Sequence, residues 1–82
     1  MVRAMGDFVI DAQYQKSPIP VLRVARALRG MKIGEKLRLL GTDPVVLADI
    51  REFCMRSGHA LIAASESKGV LSLSLKCQGP RE

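Results

Sequence analysis

Apolar and polar residues alternate over residues 8–12, which places Phe8, Ile10 and Ala12 on one face of a strand. Residues 13–17 are polar and read as a loop. From Pro20 the period changes: Val21, Val24, Ala25 and Leu28 recur at helical spacing, and Gly30 supplies a stop. Ile33-Gly34-Glu35 reads as a turn. Residues 36–40 form a second strand, with Leu37 and Leu39 on one side and Lys36 and Arg38 on the other. Thr42-Asp43-Pro44 predicts a helix start, with Asp43 as the cap and Pro44 at the first helical position. Val46, Ile50, Phe53 and Cys54 make that helix's buried stripe, Asp49, Arg51 and Glu52 its mostly exposed side, and Gly58 its end. Residues 60–64 read as a third strand and residues 66–69 as a hairpin turn. Residues 70–77 form a fourth strand with Leu71, Leu73, Leu75 and Cys77 on one side.

The order β-α-β-α-β-β predicts an α/β two-layer sandwich: a mixed four-stranded sheet, two helices on one face, the other face open. Residues 1–82 form one domain, with an ordered core expected over about 7–77. The composition is 48% hydrophobic, yet the only aromatics are Phe8, Tyr14 and Phe53, so the core must be aliphatic. No apolar run approaches the ~20 residues of a membrane-spanning helix. Residues 1–7 lack the apolar stretch of a secretory signal. Two cysteines without export do not suggest a disulfide framework, and the cytoplasm is the expected compartment. The net charge of +5, from 13 Lys and Arg against 8 Asp and Glu, favours an acidic partner.

The candidate chemistry lies in Lys16-Ser17-Pro18-Ile19-Pro20. Two prolines one residue apart cannot sit inside a helix, but at its first turn they forfeit no internal hydrogen bond. They stiffen the approach and hold residues 16–17 near the positive end of the helix dipole. Ser17 is otherwise an ordinary N-cap serine. The chain's only histidine, His59, follows the second helix and does not suggest a Ser-His-Asp arrangement. Cys54 shares the apolar stripe and is expected to be chemically quiet. Cys77 faces the core but sits at a strand end, where partial access is expected. Cys54, His59 and Cys77 lack the paired spacing of a zinc module, so neither a metal nor a cofactor is expected.

From Phe8 to Lys76 the chain resembles the TusA/SirA-like sulfur-carrier proteins. Their hallmark is Cys-Pro-x-Pro after a first strand ending in Asp-Ala. Here Asp11-Ala12 precedes Ser17-Pro18-Ile19-Pro20. Gly34-Glu35, Thr42-Asp43-Pro44, Asp49-Ile50, Phe53-Cys54 and Gly58-His59 follow in the family's order and spacing. The resemblance implies a persulfide carrier that accepts sulfane sulfur from a cysteine desulfurase or rhodanese-type donor and passes it to a downstream acceptor protein. It implies that Ser17 occupies the carrier cysteine's position, with Pro18 and Pro20 completing the motif. A hydroxyl cannot hold a terminal sulfur, so this form is expected to be inactive as a carrier. The pattern fits a relative that has lost the thiol, or a Cys→Ser replacement, which the intact surroundings favour. A cysteine in this turn is expected to have a lowered pKa, from the helix N-terminus and nearby basic residues.

Lys16, Arg23, Arg26 and Arg29 form a basic stretch on and beside the first helix, a solvated face or a dock for an acidic donor surface. Asp43 is a helix cap to which the resemblance adds a part in partner contact. Two other functions compete: a regulatory module that binds relay partners without carrying sulfur, and a basic nucleic-acid-binding module. The strand order also resembles the C-terminal fold of initiation factor 3. No aromatic occupies an exposed strand position to stack bases, which disfavours nucleic acid.

Overall fold

A computed structural model of the chain describes residues 7–78; all but Asp7 of the stretch 1–7 read for a secretory signal lies outside them. The elements are β1 (Asp7–Ala12), α1 (Ile19–Arg29), β2 (Lys36–Gly41), α2 (Val46–Ser57), β3 (Ala60–Ser67) and β4 (Val70–Lys76). They form one four-stranded sheet in the order β1-β2-β4-β3. β1 and β2 are parallel, while β4 is antiparallel to both of its neighbours. The connections β1 to β2 and β2 to β3 therefore both join parallel strands and move the same way along the sheet. Right-handed crossovers then leave both helices on one face.

That face holds the core. Ile10 and Ala12 of β1, Leu37 and Leu39 of β2, and Leu73 and Leu75 of β4 are buried against Val24 and Leu28 of α1 and Val46, Ile50 and Cys54 of α2. The alternation predicted for β1, β2 and β4 is the observed one, because each strand buries one face only. Val9, Lys36 and Arg38 are exposed on the opposite, open face.

Several boundaries differ from the pattern. α1 begins at Ile19 rather than Pro20, with Pro18 as its N-cap. α2 begins at Val46, and Pro44 and Val45 form a turn before it; the Val45 N–H donates to Asp43 Oδ1 at 3.0 Å. β3 continues to Ser67, because the hairpin needs only Lys68 and Gly69. Both have positive φ, 53° and 82°, the backbone a two-residue hairpin turn requires. Phe53 is half-buried on the side of α2 that faces α1, outside the closed core.

Cys77 corrects the expectation of partial access. It is buried, and its Sγ lies 3.7 Å from the Leu28 carbonyl oxygen and 3.6 Å from that of Met31. The chain does not fray there, since the Cys77 N–H donates to Glu35 O and the Gly34 N–H to Cys77 O, both at 2.8 Å.

Candidate functional site

β1 and β2 run parallel, so their carboxyl ends lie side by side and the loops that follow them meet. Two long-range hydrogen bonds tie the loops together. The Tyr14 N–H donates to Thr42 Oγ1 at 2.7 Å, and the Ser17 N–H to Asp43 Oδ2 at 2.8 Å. Asp43 thus serves two segments at once. The Ser17 N–H, then the Val45 N–H and the charge of Lys16, hold its carboxyl below the ordinary carboxylate range.

Ser17 is half-buried one residue before the α1 N-cap, and Pro20 is buried beneath the turn. Its hydroxyl donates to Asp49 Oδ2, on the first turn of α2. Asp49 is therefore not the mostly exposed residue that helical periodicity suggested. The polar side of a helix stripe is visible in sequence, but which polar residue borders a second helix is not. The sequence held one clue: Asp49, Glu52, Phe53 and Arg56 share a helical face at spacings of three and four. All four line one groove between α1 and α2, of about 290 Å³, opposite Val21, Leu22 and Ala25. Ser17 and Pro18 stand among its lining residues, and Arg56 pairs with Glu52 at 2.9 Å.

The structure separates the basic residues into different settings. Lys16, Arg23, Arg26 and Arg29 are all exposed, as expected. Arg23 folds back onto the β1–α1 loop, donating to the Asp11 carbonyl oxygen at 3.0 Å and to Gln15 Oε1 at 2.6 Å. Arg26 and Arg29 lie in the last turn of α1, where positive charge suits the helix dipole. The side chains bonded to Ser17 are carboxylates, not the basic groups the sequence pattern placed around it. Nor does the helix start offer many donors, since Pro18 and Pro20 have no N–H and the Ile19 N–H is bonded to Lys16 O at 2.9 Å.

Cys54 is buried, and burial pushes both its thiol and that of Cys77 up. His59 stacks on Phe53 with ring centroids 5.9 Å apart, and its Nδ1 accepts the Gln78 N–H at 3.0 Å. Burial lowers its pKa from the ordinary value. A lowered folded-state pKa means the unfolded chain takes up the proton first. The stabilisation is complete above the unfolded value, near 6.5, and is lost as pH falls through the folded one. Thermal midpoints measured at pH 7.5 and 5 should therefore drop with acid, and the drop should shrink in His59→Gln. An equal drop in both proteins would remove His59 as the cause. The Asp43 contribution falls in a separate window, below the ordinary carboxylate pKa.

Residues 8–76 match the family model described as Sulfurtransferase TusA. The chain belongs to the TusA family. A relative from Neisseria meningitidis is 39% identical over 69 residues, covering 84% of this chain and 93% of its own. The sulfur carrier protein TusA of Allochromatium vinosum is 31% identical over 74 residues, covering 88% and 97%. The crystal structure of a SirA-like protein from Desulfitobacterium hafniense superposes with a TM-score of 0.76 at 22% identity, covering 87% of this chain and 97% of that one. The β-α-β-α-β-β sandwich is thus the fold of this TusA-family chain and of that SirA-like protein. No helix among the described residues is long and apolar enough to cross a membrane.

Proposed function

We propose that the chain is a sulfur-relay protein of the persulfide-carrier type and that position 17 is its carrier position, held here by Ser17. The observation that carries this reading is the placement of Ser17. It lines the α1–α2 groove, one residue before the α1 N-cap, with Pro18 and Pro20 stiffening the turn. A side chain there is within reach of a partner and fixed relative to the sheet, as transfer between two proteins requires. Several relatives are named sulfur carriers, which agrees with that use of the turn. With a hydroxyl in place of a thiol, this chain meets its relay partners without holding sulfur itself. The test is sulfur uptake by Ser17→Cys beside the unaltered chain, followed by mass spectrometry. Uptake at residue 17 in the cysteine form alone supports the reading, and no uptake from several donors overturns it.

The donor is a cysteine desulfurase or rhodanese-type enzyme, and the acceptor a downstream protein. Docking uses Lys16, Asp43 and the exposed guanidinium groups of α1. Arg26 and Arg29 are the better probes, because Arg23 also holds the β1–α1 loop. Reversing both, Arg26→Glu with Arg29→Glu, should weaken donor binding about tenfold or more and flatten its dependence on salt. Titration calorimetry at two ionic strengths reads both effects. Unchanged affinity would make the arginines a solvated helix face.

A further inference from the structure

The contacts at position 17 are not those of an activated nucleophile. We propose that Asp49 is a gate on position 17: its carboxylate holds the side chain there in the α1–α2 groove, and it keeps a thiol at that position protonated. The proposal rests on position 17 being the carrier position, and it concerns how that position is restrained rather than what it carries.

Three observations support it. The first is the hydrogen bond from Ser17 Oγ to Asp49 Oδ2, which joins residues on two different helix starts and turns the side chain towards α2. The second is the charge around the site. Asp43 receives the Ser17 N–H and Asp49 receives the side chain, while Glu52, an exposed lining residue of the groove, is paired with Arg56. Lys16, adjacent in the chain, is exposed, and its charge bears on Asp43. Both side chains bonded to Ser17 are thus carboxylates. The third is the poverty of free N–H groups at the start of α1, where prolines at 18 and 20 remove two donors and Lys16 O occupies that of Ile19.

A thiol replacing the hydroxyl would donate to the same carboxylate oxygen. Ionising it would set two negative charges in hydrogen-bond contact, which disfavours the thiolate. The helix dipole opposes this with only about half a charge, and a full charge in direct contact outweighs it. The consequence is a guarded thiol. The thiolate is the species that oxidises and exchanges, so a site held as the thiol stays quiet until its surroundings change.

The test measures the pH dependence of iodoacetamide alkylation at residue 17 in Ser17→Cys, mapped by mass spectrometry. The expected apparent pKa lies above the ~8.5 of a free cysteine. Adding Asp49→Asn keeps the side chain's shape, removes its charge, and should lower that pKa by about one unit or more. A purely structural role for Asp49 would not shift the profile in that direction. Should the asparagine variant unfold by circular dichroism, Asp49→Ser with Ser17→Cys serves as the second probe with the same expected shift. An unchanged or raised pKa in the folded double variant overturns the gate. No sulfur donor enters this measurement, so failure of the carrier reading shows up separately, as missing sulfur uptake with the alkylation shift intact.

Discussion

Ile50→Ala should cost roughly 2–5 kcal/mol of folding stability, out of a total of about 5–15 kcal/mol for a domain of ordinary stability. Ile50 is 0% exposed and sits in the middle of the α2 stripe between Val46 and Cys54, within the core between helices and sheet. Truncation removes three carbons from a fully buried layer of aliphatic side chains, against which Phe8 and Phe53 are only partly buried. The same core holds branched aliphatics such as Leu39, Leu73 and Val24, fixed on a sheet and a helix that cannot approach each other independently. Met55→Ala, five residues on along the same helix and 79% exposed, is the matched control and should stay within about 0.5 kcal/mol. Urea denaturation of the three proteins checks this. Similar midpoints for the two variants would mean that the layer between α2 and the sheet is not the stabilising core.

The architecture was legible wherever one side of an element is buried and the other is wet. β4 shows this best: Leu73 and Leu75 are buried while Ser72, Ser74 and Lys76 face the open side. β3 was read too short for the opposite reason. It is an edge strand, and Ile62, Ala63, Ala64, Ser65 and Glu66 are all exposed, so its outer half carries no apolar alternation to extend the pattern. The turn at Ser17-Pro18-Ile19-Pro20 was legible because proline chemistry is local. Its surroundings were not. Asp43 and Asp49 meet Ser17 from 26 and 32 residues away, across contacts that only the packing of two loops and two helices creates. Residue counting along α1 placed cations near the turn, yet the Arg23 guanidinium is taken up by Asp11 O and Gln15 Oε1, and Arg26 and Arg29 lie in the last turn of the helix. Cys77 was misjudged for a similar reason, since the hydrogen bonds that stop β4 from fraying come from Gly34 and Glu35.

Ser17→Cys should convert a chain that gains no sulfur at residue 17 into one that gains a single atom there. The thiolate attacks the outer sulfur of a donor persulfide, the donor's S–S bond breaks, and its electron pair leaves on the donor's inner sulfur, which then takes up a proton. The unaltered hydroxyl cannot follow this course, because an alcohol remains un-ionised at neutral pH and forms no persulfide. The turn needs no rebuilding to accept the change, since sulfur replaces oxygen on the same carbon and Pro18 and Pro20 stay in place. The two native cysteines give the experiment its internal control. Cys54 and Cys77 are buried and their thiols are pushed up, so neither competes while the fold is intact. Both forms are incubated with a sulfane-sulfur donor, weighed intact, and mapped after digestion, with dithiothreitol reversing the gain. Loading should be slower than for an unrestrained thiol if Asp49 holds the proton, and faster in the Asp49→Asn background. Equal loading of the serine form would place the sulfur on Cys54 or Cys77 and remove position 17 from the carrier role. No loading of the cysteine form, in a protein that alkylates normally at residue 17, would leave a folded TusA-family domain whose turn docks partners for some purpose other than sulfur transfer.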